Sequence, residues 1–487
     1  MSSIANLWDH PEATVATLHE GYRQREYTVA DVVAACRQRI EQLDRWGPTL
    51  NAMITLADDI DAQVDAVQRS AARSGELAAL HGVPMVIKDN FNVAGLPTTG
   101  GCAALTELMP TVDAAVVARL RAAGAIIIGK SSMSEFAWGT YDTQNSVIEG
   151  YTRNPYDTDY AAGGSSGGSG VAVAVGYCVA ALGTDTGCSV RAPASINGLV
   201  GLRPTHGLVS MEGVMPMNAD WDTVGPMARS LEDLAVVLDV ITGSGQAPGS
   251  YARALADRSS RTTRLGVLRQ LADPADTDPD MVALVDQAVA DFESAGAIVI
   301  DSVSTDVFDL AFNAFDWYLR FRFDLDGFLE EMEAGTPVHS LAEVLDTGLV
   351  LERYLEPLQA SLDWPHTPEQ HPRLTQMNDI RDRYRAAFSG LLERHDLDAL
   401  VFPTFRFPPV LNGAMEDRPD SSRAPIGSNN YYASLTGFPA LNVPMGYTGS
   451  GLPMGLQLLG RPGSEARLLQ AAQGYEQHTQ HRRPPAL

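Results

Sequence analysis

The stretch AAGGSSGGSG, residues 161–170, contains five glycines and three serines in ten positions. Such a composition occurs in flexible linkers, in loops that hold phosphate groups and in catalytic turns. An apolar run follows at once (171–182), and a second glycine-containing turn, GTDTGCSVR (183–191), comes next. Because a linker joins two self-contained units, this continuity disfavours a linker.

The two phosphate-binding interpretations fail on spacing. A P-loop requires a lysine directly after its last glycine, and none follows these glycines. A dinucleotide fingerprint requires GxGxxG directly after a strand, whereas YTRNPYDTDYAA (151–162) is typical of a loop. A catalytic turn is therefore the interpretation that the neighbouring residues favour.

The composition bounds the class of protein. The chain has 487 residues, 45% of them hydrophobic, and a net charge of −25, which indicates a globular protein with material for a large core. An acidic surface repels phosphate and argues against nucleic-acid binding, although high solubility or a saline habitat would also explain the charge. We find no pattern of a signal peptide and no run of 18 apolar residues, so we expect no membrane partner. Four cysteines without a CxxC pair favour a reduced, cytoplasmic setting.

Lysine is rare in this chain. Of 35 basic residues only Lys88 and Lys130 are lysine, and the rest are arginine. A desolvated lysine can lose its proton, whereas arginine effectively cannot. These positions either demand a group that can act as a base or reflect drift at two ordinary sites.

The order of apolar patterns predicts the fold. Helical spacing covers 28–45, 51–75, 113–124 and 230–243, and short buried strands are predicted at 83–87 and 125–128. Another helix–strand unit is predicted at 265–300, an aromatic-rich helical region at 306–395, and strands again at 397–405 and 435–461. The alternation predicts an α/β fold with a mixed sheet covered by helices.

Three residues lie where a serine nucleophile and its base are expected. Ser165 lies in the opening stretch, and Ser189 follows 24 residues later. A serine nucleophile needs a base, and neither His81 nor His206 lies in a comparable motif. A Ser–Lys arrangement is a known alternative to Ser–His–Asp, so Lys88, at the end of a predicted strand, is the favoured base.

The motifs GGSSGGSG (163–170), DTGCSVRAP (185–193) and VPMVIKDN (83–90) resemble those of the amidase signature family. The flanking segments 111–139, 198–210 and 435–461 extend the resemblance. It covers roughly 28–240 and 395–475, and 245–395 matches only in general shape.

The resemblance implies a single amidase domain over residues 1–487, with a central mixed β-sheet covered by α-helices on both faces. Its parts would be a helical N-terminal segment (1–75), a signature core with the catalytic triad (76–245), a variable helix-rich pocket insertion (246–395) and a C-terminal part of the core (396–487).

The resemblance also implies a Ser–cis-Ser–Lys triad. Ser189 would be the nucleophile that forms an acyl-enzyme, Ser165 the relay held by a cis peptide bond from Gly164, and Lys88 the base. The backbone N–H groups of residues 186–189 (Thr186, Gly187, Cys188 and Ser189) would form the oxyanion hole. Cys188 departs from the commonest pattern, which has glycine there. Because thiols are better nucleophiles, Cys188 is an alternative nucleophile, although Ser189 is the residue in register with Ser165.

Further roles follow from position. We interpret Asp185 and Arg191 as a buried ion pair, and Ser166 as a turn or cap serine that otherwise bonds Lys88 or Ser165. Lys130, in the family's "GK" segment, is interpreted as structural. The candidate substrate-pocket residues are Met133, Phe136, Trp138, Tyr141, Trp317 and Phe321, which favour an apolar or aromatic substrate.

The function implied is hydrolysis of a small-molecule carboxylic amide without cofactor or metal. One alternative is the amidase subunit of a tRNA-dependent amidotransferase, a branch that typically reads RQPA where this chain has RAPA (191–194). The other is a non-catalytic binding protein on the same fold. A homodimer is left open.

Overall fold

The structure, a computed structural model, describes residues 7–8, 13–243, 249–257, 261–275, 277–309, 320–332, 336, 338–414 and 429–487. The strands are β1 (Met53–Leu56), β2 (Pro84–Lys88), β3 (Ile126–Ser131), β4 (Ala180–Thr184), β5 (Val200–Arg203), β6 (Val224–Ala228), β7 (Arg264–Val267), β8 (Ile298–Ile300), β9 (Ala399–Pro403), β10 (Ala440–Tyr447) and β11 (Pro453–Leu459). The helices are α1 (Val15–Gln24), α2 (Val29–Ile40), α3 (Ile60–Ser74), α4 (Ala115–Ala122), α5 (Gly167–Ala174), α6 (Arg191–Ile196), α7 (Leu231–Thr242), α8 (Ser250–Ala256), α9 (Arg269–Ala272), α10 (Pro279–Ser294), α11 (Phe321–Glu331), α12 (Leu341–Asp346), α13 (Glu352–Asp363), α14 (Leu374–Arg394), α15 (Tyr431–Thr436) and α16 (Glu465–Thr479).

The eleven strands form one mixed sheet in the order β1-β3-β2-β4-β6-β5-β10-β11-β9-β7-β8. β2 pairs in parallel with both β3 and β4, whereas β4 pairs with β6 in the antiparallel sense. Every residue of β2, β3 and β4 is buried, so both faces of the sheet are covered in this region. The predicted mixed α/β sheet is therefore confirmed, and the assignment of the whole chain to one domain stays a prediction.

One sequence prediction of an element is wrong. The apolar spacing predicts a single helix over 51–75, but Met53–Leu56 form the edge strand β1, and the helix α3 begins only at Ile60. β1 pairs antiparallel with β3, and a backbone irregularity lies between Met53 and Thr55. A four-residue edge strand is too short to separate itself from the helical pattern that follows it.

The unit predicted at 265–300 joins the same sheet. β7 pairs in parallel with β8 on one side and with β9 on the other. The helical region that follows contributes α11, α12 and α13, which bury an apolar cluster of their own against segments from the first half of the chain. Among the described residues, no helix is long and apolar enough to cross a membrane.

Candidate active site

The carboxyl ends of two neighbouring parallel strands place the first site residues. Lys88 is the last residue of β2, and Thr184 is the last residue of β4. Because parallel strands end at the same edge of a sheet, these side chains meet, and Lys88 Nζ lies 2.8 Å from Thr184 Oγ1. Lys88 Nζ also lies 2.8 Å from Ser165 Oγ. The structure thus brings Lys88 and Ser165 together, as the sequence predicted.

Lys88 is fully buried, and its contacts are hydroxyl groups rather than carboxylates. Burial lowers the pKa of Lys88 to about 7, against the opposing negative charges of Asp222 and Asp185. Lys130, the other lysine, is also buried but lies 3.3 Å from the carboxylate of Asp89 and donates to the carbonyl of Pro97. Burial lowers the pKa of Lys130 as well, although the charge of Asp89 opposes it, so of the two lysines Lys88 is the one without a carboxylate in contact.

The opening stretch runs past Lys88 before α5 begins. The Gly164–Ser165 peptide bond is cis, as the resemblance implied. A Cβ on residue 164 would lie 2.5 Å from the carbonyl oxygen of Asp142, so only glycine fits. Ser166 stands at the N-cap position of α5, yet its hydroxyl donates to the carbonyl of Thr184 (3.3 Å) and caps nothing. Ser166 thus occupies the predicted cap position, but its hydroxyl bonds a carbonyl of β4 rather than an N–H of α5.

The turn that carries Ser189 lies between β4 and α6. Asp185 and Arg191 form the predicted buried ion pair (2.9 Å), and Arg203 adds a second contact to the same carboxylate at 3.0 Å. Burial alone would raise the pKa of Asp185, but the two guanidinium groups outweigh it and hold that pKa well below its ordinary value. Asp185 also accepts from the N–H of Val190, which fixes the turn from inside.

The backbone N–H groups of this turn are available to a ligand. Among the described residues, no acceptor is bonded to the N–H groups of residues 186–189. The carbonyl of Gly187 is held by Arg191 Nη2 (2.9 Å) and Ser434 Oγ (3.0 Å). Because C=O and N–H of a trans peptide point in opposite directions, these bonds aim the N–H of Cys188 away from Arg191. Ser189, the last residue of this turn, is buried, with 3% of its surface exposed.

Two further groups border the turn. A Cβ on Gly187 would lie 2.6 Å from the ring of Tyr431, so that ring packs directly on the turn. The hydroxyls of Tyr431 and Thr140 are 3.1 Å apart. The thiol of Cys188 faces the carbonyl of Gly164 at 3.8 Å, and burial raises the pKa of Cys188 to about 12. A thiol with that pKa is a poor source of thiolate, which disfavours Cys188 as nucleophile.

The predicted pocket residues are placed as follows. Met133, Phe136, Trp138 and Phe321 lie in the buried apolar cluster around α11–α13, where the rings of Trp138 and Phe321 are 5.1 Å apart. Tyr141 is half-buried and packs on Phe405. Trp317 lies outside the described residues. Which of these side chains a substrate touches stays a prediction.

Several site residues escaped the sequence analysis. Asn90 donates to Thr184 Oγ1 (3.2 Å) and to the carbonyl of Met215 (3.1 Å). Asp222 accepts from the hydroxyl of Thr186 at 2.5 Å, and burial raises its pKa to about 6. Asn90 and Thr184 each lie inside a quoted motif at a strand end, which is a usable signal. Asp222 carries no such signal in the sequence.

No group of three metal-ligating side chains is present in the described part of the chain. The arrangement as a whole consists of a buried amine on a serine hydroxyl, a second serine in a turn with open N–H donors, and an ion pair behind that turn. It is suited to nucleophilic attack by a hydroxyl with proton transfer to an amine.

Known proteins that resemble this chain include amidases and amidotransferase subunits. The family described as Amidase matches residues 31–469. The chain is 35% identical to a glutamyl-tRNA(Gln) amidotransferase subunit from Symbiobacterium thermophilum, over 97% of this chain and 98% of the relative. It is 34% identical to the mandelamide hydrolase of Pseudomonas putida, covering 96% and 91% respectively. The crystal structure of native peptide amidase from Stenotrophomonas maltophilia superposes with a TM-score of 0.84 at 33% identity, covering 98% of this chain and 99% of that one.

Proposed function

The chain belongs to the amidase family, and from that premise we propose that it is an amidohydrolase that cleaves a carboxylic amide C–N bond through an acyl-enzyme on Ser189. Lys88 is the base and Ser165 relays the proton. The observation that carries the proposal is the fully buried amine of Lys88, 2.8 Å from Ser165 Oγ, with its pKa lowered by burial to about 7.

The hydrogen bonds around Thr184 orient the lone pair of the Lys88 amine. A neutral amine has two N–H donors and one lone pair. Asn90 donates to Thr184 Oγ1, and Lys88 donates to the same oxygen, so both lone pairs of that hydroxyl are used. In this arrangement Thr184 accepts from both groups when Lys88 is neutral, which leaves the lone pair of Lys88 to the hydroxyl proton of Ser165.

The reaction then runs in two halves. As Ser189 Oγ attacks the amide carbon, its proton passes to Ser165, and the proton of Ser165 passes to Lys88. The oxyanion is held by the open N–H groups of the 186–189 turn. The C–N bond breaks as Lys88 returns a proton through Ser165 to the leaving nitrogen. Water then hydrolyses the ester on Ser189 by the same path and releases the carboxylic acid.

The names of two relatives guide the choice of substrates. One is a mandelamide hydrolase and another a peptide amidase, so we propose a small amide with an apolar or aromatic acyl part as the substrate class. The buried apolar cluster that includes Met133, Phe136 and Trp138 supports this class. The four cysteines are free and buried, which supports the reducing, cytoplasmic setting proposed for the protein.

A second candidate function is supply of ammonia within a tRNA-dependent amidotransferase. The observation in its favour is the 35% identity to a component of such an enzyme over nearly the full length of both chains. The net charge of −25 offers no basic surface to tRNA, so a partner would have to bind it. This function predicts that the isolated chain is nearly inactive on free amides.

One experiment separates these functions. The chain, purified alone, is assayed for release of ammonia or amine from mandelamide, a C-terminally amidated dipeptide, an anilide and glutamine. Turnover of one of the first three supports the hydrolase, whereas activity that requires a co-purified partner supports the amidotransferase role. Ser189→Ala is expected to abolish turnover, and Cys188→Ala is expected to retain it. The reverse pattern would reassign the nucleophile.

A further inference from the structure

The helices α11–α13 contact two separate loops of the catalytic core. We propose that this helical layer, residues 320–332 and 338–363, holds both loops in their reactive geometry, with Arg353 and Asp324 as the positioning residues. The inference rests on the proposed function, because it concerns how Ser165 and the 186–189 turn are kept in place for that reaction.

The first contact joins α13 to the loop 134–146. Arg353 Nη1 lies 3.2 Å from Asp142 Oδ2 and 3.2 Å from Gln144 Oε1. The side chain of Asp142 is 2% exposed and that of Arg353 is 17% exposed, so little solvent screens the pair. Just before α13 begins, the N–H of Leu351 donates to Glu135 Oε1 at 3.2 Å.

The loop 134–146 in turn holds the segment that carries Ser165. The N–H of Ser134 donates to the carbonyl of Ser165 (3.0 Å), and the N–H of Gly164 donates to the carbonyl of Thr140 (2.9 Å). The hydroxyl of Ser134 donates to the carbonyl of Asp142 at 2.9 Å. Three hydrogen bonds, through Asp142 and Ser134, therefore connect the side chain of Arg353 to the carbonyl of the relay serine.

The second contact joins α11 to the loop 217–222. Asp324 Oδ2 accepts from the N–H of Ala219 at 3.0 Å, and Arg320 bridges Asp324 and Asp220. This loop ends in Asp222, which accepts from the hydroxyl of Thr186 (2.5 Å) at the start of the turn that carries Ser189. The helical layer thus contacts two loops, one of which holds the Ser165 segment and the other the 186–189 turn.

Aromatic packing ties the two contacts together. Trp138, from the first loop, packs with its ring 5.1 Å from that of Phe321 in α11 and 6.2 Å from that of Tyr354 in α13. Both helices therefore contact the first loop through the ring of Trp138. A displacement of about 1 Å at reacting groups lowers rates by roughly a hundredfold, so loss of one contact is expected to lower kcat by about tenfold or more.

Arg353→Met tests the first contact, because it keeps the apolar stem and removes the donor. Both hydrogen bonds of Arg353 come from one nitrogen, so Arg353→Lys can restore them and is expected to recover most of the activity. Arg322→Met is the matched control, because the Arg322 guanidinium donates to Leu362 inside the layer (2.6 Å). Asp324→Ala tests the second contact, since it removes the acceptor of the Ala219 N–H.

The readouts are kcat and KM on the best amide of the panel, the rate at which a small alkyl fluorophosphonate labels Ser189, and the thermal unfolding midpoint. We expect Arg353→Met and Asp324→Ala to lower kcat and the labelling rate together by about tenfold or more, with KM changed less than kcat. Arg322→Met should match the wild type in both rates. Wild-type rates in folded Arg353→Met and Asp324→Ala, or equal losses in Arg322→Met, would overturn the inference.

Two further outcomes remain decisive. If Arg353→Met does not fold, Asp142→Asn replaces it, since it weakens the same pair at the other partner; wild-type rates in Asp142→Asn would count against the inference. If the wild type itself is not labelled at Ser189, the proposed function fails. That result is distinct from failure of the positioning role, in which the wild type is labelled and the variants are labelled equally fast.

Discussion

Replacement of Lys88 by methionine is expected to abolish hydrolysis and to stabilise the folded protein at neutral pH. Burial lowers the pKa of Lys88 from 10.5 to about 7. The unfolded chain therefore binds a proton that the folded chain binds only below pH 7. The resulting cost to folding is absent above pH 10.5, grows by about 1.4 kcal/mol per pH unit as pH falls, and reaches about 5 kcal/mol below pH 7.

Methionine removes this cost and loses the contacts of Lys88 with Ser165 and Thr184. Leaving these buried hydroxyls without the amine costs about 1–3 kcal/mol. The net expectation is a variant more stable than the wild type by about 1–3 kcal/mol at pH 7, with the advantage lost by pH 10. Such a gain at the expense of activity is typical of a residue retained for function.

The assay is urea unfolding of the wild type and Lys88→Met at pH 6, 7, 8, 9 and 10. Lys130→Met serves as a contrast: it leaves the buried carboxylate of Asp89 unpaired and should destabilise by about 3–5 kcal/mol. A stability difference between Lys88→Met and the wild type that does not change between pH 7 and 10 would refute the reasoning, because it would mean that the pKa of Lys88 is not displaced.

Two other predictions concern the rate. Because the active form has a neutral Lys88, whose pKa is about 7, kcat/KM should rise about tenfold per pH unit below pH 7 and level off above it; a profile that falls between pH 7 and 9 would contradict this. Thr184→Val removes the acceptor shared by Lys88 and Asn90 and should lower kcat by about tenfold or more. It should also move the rising limb of the pH profile to lower pH, because the charged amine of Lys88 loses a hydrogen-bond acceptor and its pKa falls. Thr184→Ser should behave as the wild type in both respects, and an unshifted limb in Thr184→Val would count against the shared-acceptor argument.

The strands β2 and β3 were predictable from the sequence because each begins in a short apolar run with clear ends. β2 and β3 begin one residue after the predicted starts, and the helix α7 lies within the predicted range 230–243. β1 was missed because the four residues of an edge strand are too few to show an alternating apolar pattern next to the fifteen-residue helical pattern of α3.

The residues of the candidate site were also predictable only in part. Lys88, Ser165 and Ser189 could be chosen from residue type and motif spacing, since lysine is rare and both serines lie in glycine-containing turns. The supports of those residues depend on contacts between distant parts of the chain. Asp222 reaches Thr186 across 36 positions, and Arg353 reaches Asp142 across 211, and no local pattern reports such a contact.

The most direct test of the central claim is to trap the acyl-enzyme. The purified protein is mixed with an activated ester, p-nitrophenyl phenylacetate, whose p-nitrophenolate leaves without needing a proton, so that acylation is faster than deacylation. The reaction is quenched in acid within seconds and digested for peptide mass spectrometry. The account predicts the acyl mass on Ser189 in the wild type and none in Ser189→Ala. Acylation of Cys188 or of Ser165 in the wild type, or label that persists in Ser189→Ala, would contradict it.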